Sequence, residues 1–279
     1  MAGHRFESVM RGVSVDRARI DSHLNNLLSD SRFTCYSSVL PALRAALAGG
    51  NRLRPLLAIY VARLLRAETE ASLHAAIAVE LVHCASLVID DLPCMDNSSE
   101  RRGHPSLHVE FGQATAILAA FGLVNLACRC FGDYSTSCGD PAPVADFRER
   151  MLSVLGPESL IEGQLRDLRR QGISSLDQQN SGDVSDLKTV PLFELAIRAG
   201  TISACVSEEE LLRLLSFGAA FGRAYQLADD YLDHEHADLA RFVNEVVNAK
   251  AYLAAFGAEA DELCDLVDAL HRTMAKRVF

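Results

Sequence analysis

The chain has 279 residues, 49% hydrophobic and 23% charged, with only 8 prolines, which is material for one large domain or two and excludes a disordered or collagen-like chain. Its 37 acidic and 27 basic residues leave a net charge of -10. That excludes a general nucleic-acid binder, which needs a basic face to displace counterions, and suits a site that gathers cations.

The opening MAGHRFESVM lacks the basic-then-apolar order of a secretory signal, so no export and a cytoplasmic location are expected. From Leu56 to Leu65 apolar residues nearly surround a helix, and from Leu73 to Ile89 charge enters only at Glu80 and at the histidines His74 and His83, which predicts central, buried helices. The apolar stretch Ala114 to Cys128 has the length of a buried helix and falls short of the ~20 residues that span a bilayer, so no membrane span is expected. The 8 cysteines form no CxxC pair; Cys84 and Cys128 lie in apolar helical runs, and the Cys128–Cys130 CxC reads as core packing of reduced thiols. Gly132 to Asp146 and Gly172 to Asp186 are polar and read as loops within one domain. Strand signals are almost absent. The expectation is an all-α chain forming a single domain over 1–279.

The chemistry concentrates in two acidic segments. In DDLPCMDNSSERRGHPSLH, an apolar helix presents Asp90 and Asp91 at its C-terminal end, where the helix dipole disfavours negative charge. Pro93 bends the chain and returns Asp96 toward Asp90, gathering hard oxygen ligands suited to Mg²⁺. In AYQLADDYLDH, Asp229 and Asp233 share a helix face, with Asp230 alongside and Gln226 one turn earlier. One cluster alone could be a solvated helix end. Two, each following an apolar helix, cost stability unless a cation sits between the carboxylates. Basic residues accompany them: Arg52 and Arg54 in GGNRLRP, Arg101 and Arg102 after the first cluster, and Lys188 before Thr189 in LKT. Guanidinium forks match diphosphate oxygens, so the set describes a site for a diphosphate with an apolar tail.

These motifs, with ELVHCASLVIDD and EGQLRDL, occur in the order found in the trans-isoprenyl diphosphate synthases, and the chain most resembles the bacterial geranylgeranyl diphosphate synthases over roughly Gly49 to Asp233. The resemblance implies an isoprenoid synthase helical bundle with a central cavity and the two aspartate motifs facing each other at its mouth. It implies a Mg²⁺-dependent prenyltransferase that condenses isopentenyl diphosphate with an allylic diphosphate. By position, Asp90 and Asp96 would hold two Mg²⁺ and Asp229 a third, assisted by Asp91, Asp230 and Asp233. Arg101 and Lys188 would grip the allylic diphosphate. Arg54, His83 and Arg102 would bind isopentenyl diphosphate, and Thr189 and Gln226 would face the allylic cation. Ala85 and Ser86 stand where the growing tail passes. Ala85 leaves that space open, so the expected product is geranylgeranyl diphosphate, with a larger group such as Phe121 as the stop; farnesyl diphosphate is the alternative. A homodimer is expected from the family and from the flat apolar face of Ala114 to Ala120.

Two departures stand against the pattern. The lysine of the family's GGKRxRP is Asn51, and the glycine–lysine segment expected after the second motif is missing, with Lys250 not alignable to it. These motivate a second reading as a weakly active or non-catalytic subunit of a hetero-oligomeric synthase. A class I terpene cyclase fits less well, because it needs no GGNRLRP segment. Among single residues, His83 alone would read as a satisfied core histidine, and only the motif around it points to substrate. His234 and His236 flank Glu235 on an irregular segment that does not converge on a metal. Gln164 and Asp167 face either the cavity or a neighbouring helix, and the region of Phe121 and Leu123 reads more readily as core than as substrate wall.

Overall fold

The computed structural model describes residues 2–30, 38–132, 142–172, 184–232 and 238–278. Helices α1 (Ala2–Ser29), α2 (Leu40–Ala46) and α3 (Leu53–Leu64) lead into α4 (Thr69–Asp90), and a short hairpin of β1 (Glu100–Arg101) and β2 (His104–Pro105) precedes α5 (Leu107–Phe111) and α6 (Gln113–Gly132). Then come α7 (Ala142–Leu155), α8 (Leu160–Arg170), the one-turn α9 (Ser185–Lys188), α10 (Val190–Thr201) and α11 (Glu208–Leu232). After α12 (Leu239–Leu253) a 3₁₀ segment (Ala254–Ala260) joins α13 (Asp261–Val278). The all-α class predicted from helical periodicity is correct.

Helices α3 and α4 are the centre of the bundle, as their all-round apolar surfaces dictate. α4 packs against α3, α6 and α10, α10 also against α3 and α11, and α11 against α12. Small residues let backbones meet: a Cβ on Gly200 would stand 2.6 Å from the Ala58 carbonyl oxygen, so α10 lies directly on α3. The buried apolar side chains form one contiguous cluster running through these helices.

Several expectations need correction. The segment 132–146 is not all loop, because α7 begins at Ala142, and Asp186 of the second polar stretch lies inside α9. A hairpin is present where none was predicted; Arg102 and Gly103 take φ of 56° and 79°, the left-handed pair a two-residue turn requires. Both α4 and the Gln113–Cys130 part of α6 are long and apolar enough to cross a membrane. The α4 stretch is 72% buried, the state of a core helix, but that of α6 is only 33% buried, so it is not the buried helix its length suggests, although the apolar face at Ala114 to Ala120 stands open as expected for a single copy. Ala114, Leu118, Phe121 and Cys128 form an exposed stripe along it. Cys128 therefore faces outward and is not core, while Cys84 is buried; neither is in a disulfide. Leu123 is core, but Phe121 is not.

Candidate active site

A cavity of about 1420 Å³ opens between α4, α8, α10 and α11, and both acidic segments line it, Asp90 and Asp96 on one wall and Asp229 and Asp230 on the other. The first wall is built by the chain reversal at the end of α4. The Asp96 N–H donates to the Asp90 carbonyl at 2.9 Å and the Met95 N–H to that of Leu92 at 2.8 Å, which returns Asp96 beside Asp90 as the proline bend predicts. Asp90 is nearly buried near Asp96 and Asp167, and burial, with these like charges, pushes its carboxyl up to about 6 against the pull of Lys188.

Asp91 takes a different place from the one expected. It is buried, does not line the cavity, and accepts the Arg101 Nε–H at 3.0 Å together with a short bond from Nη2. Adjacent residues on a helix point about 100° apart, and Asp91 is turned away from the cavity toward Arg101 while Asp90 lines it. Asp91 anchors Arg101. Asp233 lies outside the described residues, as do His234, Glu235 and His236.

Lys188 reaches between the walls. Its Nζ lies 2.7 Å from Asp167 Oδ2 and 3.6 Å from Asp90 Oδ2, and although burial works against its charge, these carboxylates lift its pKa above the usual value. Asp167, read from sequence as ambiguous, thus belongs to the cavity; Gln164 also lines it, its Nε2 3.9 Å from Met95 Sδ. Gln171 donates to Asp96 Oδ1 at 3.1 Å. On the α11 side, the Thr189 hydroxyl donates to Gln226 Oε1 at 2.6 Å, and Gln226 Nε2 donates to Asp230 Oδ1 at 2.7 Å. This chain fixes the Gln226 amide and leaves the Thr189 oxygen as an acceptor facing the cavity.

A cationic corner lies beyond. Arg54 is buried with its guanidinium 4.7 Å from the Phe193 ring centre, and its Nε has no hydrogen-bond partner. Arg102 and His83 line the same corner. Burial and the surrounding arginines, Arg54 and Arg102 first, hold the His83 pKa well below its ordinary value, so the ring is a neutral hydrogen-bonding group. Asn51 is exposed at the rim of this corner. Arg52 differs from the sequence expectation of a diphosphate fork, because all three of its side-chain nitrogens already bind protein groups. Ala85 and Ser86 line the cavity below the first wall, with the Ser86 hydroxyl turned to the His83 carbonyl at 2.8 Å. Phe121 touches the cavity from the exposed face of α6 and is no buried floor.

Sequence reasoning missed Arg241. It lies in the first turn of α12, which Asp238 caps by accepting the Arg241 N–H at 3.0 Å, and both residues line the cavity. Lys250 instead pairs with Asp268 of α13 and is absent from the cavity lining. The signal was an arginine eight residues after Asp233, without the expected glycine.

The donors suit a hard divalent cation, being carboxylate oxygens on two walls, and burial first, then the nearby Asp96 and Asp167, disfavours the Asp90 charge, a cost that a cation would relieve. Among the described residues, no three His, Cys, Asp or Glu side chains stand close enough together to hold an ion. The described acidic groups are arranged around a space and do not form a closed cage.

Comparison with known proteins gives one family. A sequence profile described as polyprenyl synthetase matches residues 38–240. A geranylgeranyl diphosphate synthase of Pseudescherichia vulneris is 35% identical over 255 residues, covering 90% of this chain and 80% of that enzyme. A farnesyl diphosphate synthase of Geobacillus stearothermophilus is 35% identical over 191 residues, 68% of this chain and 64% of that enzyme. The crystal structure of a geranyltransferase from Legionella pneumophila superposes with a TM-score of 0.84 at 28% identity, covering 96% of this chain and 99% of that one.

Proposed function

The chain belongs to the polyprenyl synthetase family, and from that premise we propose that it condenses isopentenyl diphosphate with an allylic diphosphate and extends the product to geranylgeranyl diphosphate. The observation that carries the reading is one cavity in which two acidic walls, a separate cationic corner and an apolar channel beside Ala85 and Ser86 all meet. Asp90 and Asp96 on one side, and Asp229 with Asp230 on the other, would hold Mg²⁺, three ions by family resemblance. When bound, the metal neutralises charge developing on the departing diphosphate.

The chain's own groups do the rest. Lys188 and Arg101 donate to the allylic diphosphate as its bond to carbon breaks, electrostatic help that grows with the charge on the leaving oxygen. The Thr189 oxygen, held by Gln226, presents a partial negative charge to the allylic cation. Arg54, Arg102 and neutral His83 hold the second diphosphate in the cationic corner, so that the isopentenyl double bond faces the cation; the proton lost at the end goes to the released diphosphate. The small Ala85 leaves the channel open for a tail longer than fifteen carbons. The exposed stripe of Ala114, Leu118 and Phe121 supports a homodimer, since an apolar helix face of that kind is usually covered.

The test is the product profile of the purified chain, given isopentenyl diphosphate, Mg²⁺ and each of the five-, ten- and fifteen-carbon allylic primers. A twenty-carbon diphosphate from all three is expected. No product from any primer refutes the activity, and a fifteen-carbon product alone refutes the length.

A further inference from the structure

The loop before α3 has a backbone that its sequence alone would not hold. Gly49 and Gly50 have φ of 69° and 88°, and Arg52, a residue with a Cβ, has φ of 52°. Left-handed conformations at non-glycine residues persist only where the surroundings determine them. Here the determinant is the Arg52 side chain, almost fully buried. Its Nη1 donates to Glu80 Oε1 at 2.8 Å, its Nε to Asp21 Oδ1 at 2.8 Å, and its Nη2 to the Leu47 carbonyl. Glu80 is itself only 1% exposed, in the middle of α4 and one turn before His83. A buried carboxylate in that position is costly unless paired, so the pair is fixed in geometry.

Both ends of this loop bear on the cationic corner. Arg54 follows Arg52 by two residues, in the first turn of α3. Arg102 lies against the loop: its Nη1 is 3.4 Å from the Gly49 carbonyl oxygen, and a Cβ on Gly50 would stand 2.6 Å from its Cζ. The present conformation of Gly50 leaves the space that the Arg102 guanidinium fills, and Cys84 of α4 is another neighbour. Arg54 has its buried Nε unpartnered; the Phe193 ring lies 4.7 Å from its guanidinium, and the Glu80 carboxylate favours its charge from a distance.

We propose that Glu80 is a positioning residue for the diphosphate of isopentenyl diphosphate. Acting through Arg52, it locks the 49–52 loop and so sets the places of Arg54 and Arg102, without touching the substrate that ionises. The assignment rests on the proposed function, and it divides the two arginines of GGNRLRP into one that anchors and one that binds.

The experiment is steady-state kinetics of Glu80→Gln, which keeps the shape and removes the charge, combined with calorimetric titration of isopentenyl diphosphate in the absence of any allylic primer. The Michaelis constant and the dissociation constant for isopentenyl diphosphate are expected to rise about tenfold or more, the factor of a lost charge-assisted contact. The Michaelis constant for the allylic diphosphate and the saturated turnover should stay within about threefold, because a loop shift weakens uniform binding only. Asp21→Asn removes the partly exposed partner of the same Arg52; it should give a smaller shift of the same kind, and serves if Glu80→Gln does not fold. An unchanged constant in a folded Glu80→Gln, or a parallel rise for both substrates with a fallen melting temperature, overturns the positioning role while leaving the proposed reaction standing. A wild-type chain that makes no product overturns both.

Discussion

Gly163→Ala should disable the enzyme through a single methyl group. Gly163 lies in α8, facing α9, and a Cβ there would meet Lys188 Cγ at 2.6 Å, Leu187 Cβ at 3.0 Å and the Leu187 carbonyl carbon at 3.2 Å. Ordinary carbon contacts are about 3.5–4.0 Å, so α9 must retreat by roughly 1 Å. The Ser159 hydroxyl, which donates to the Leu187 carbonyl at 3.0 Å, opposes that retreat. Overpacking costs about 1–3 kcal/mol, and replacing a helical glycine by alanine returns ~1 kcal/mol, so the protein should stay folded, with a melting temperature lowered by a few degrees. Lys188 moves with α9, away from Asp167 of α8, and a displacement of about 1 Å in a group that must meet the leaving diphosphate can cost on the order of 100-fold in turnover. The assay is single-turnover condensation at saturating substrates beside a thermal melt. A fall of at least tenfold in rate with an unaltered Michaelis constant for isopentenyl diphosphate is expected. A variant that melts normally and turns over at the wild-type rate would refute the view that Lys188 acts from this position.

Excess chelator, Asp90→Ala and Asp229→Ala should each remove nearly all turnover, checked by product formation with Mg²⁺ restored; a variant that retains half the rate contradicts a metal at that wall. Ala85→Phe should shorten the product to fifteen carbons or fewer without stopping ionisation, because the metal wall lies about 7 Å further along α4 at 1.5 Å per residue, and chromatography of the products decides it. Arg241→Ala should slow turnover about tenfold, whereas Lys250→Ala should leave it unaltered; equal effects would undo the distinction drawn between them. The last prediction concerns pH and the metal-free protein. Since the folded His83 pKa lies well below 6.5, only the unfolded chain takes up this proton as pH falls through 6.5, and His83 draws stability down by up to ~1.4 kcal/mol per pH unit. Asp90, raised in the fold from 3.8 to about 6, contributes the opposite slope between those values. Denaturant melts of His83→Gln should therefore lose less stability than wild type between pH 6.5 and 5, and identical slopes would show that the fold does not lower the His83 pKa.

What the sequence revealed follows from local rules, and what it hid follows from orientation. Helical periodicity located α3, α4 and α6, and Pro93 was enough to bring Asp96 back to Asp90. Spacing could not decide which of Asp90 and Asp91 faces inward, nor which of Arg52 and Arg54 reaches substrate, because each choice depends on a partner distant in the chain: Arg101 for Asp91, Glu80 for Arg52. The α6 stripe was read in part, its Ala114 to Ala120 face being expected to stand open on a single copy, while Phe121 and Cys128 were placed inside for a different reason. An apolar face has the same period whether it meets the protein's own core or is left for another molecule, so Phe121 and Cys128 looked internal. Arg241 escaped notice because it was sought as a lysine after a glycine; its place emerges only when the first turn of α12 is seen beside the cavity.

The hairpin at residues 100–105 has a consequence for sequence divergence. Surface turns are where related chains ordinarily gain and lose residues. In this turn two neighbouring arginines serve different masters, Arg101 clasped by Asp91 and Arg102 lying over Gly50. A single inserted or deleted residue would exchange the directions in which they point and unseat both at once. This turn is a ruler of fixed length on an otherwise tolerant surface, and lengthening it by one residue should be as damaging as removing either arginine.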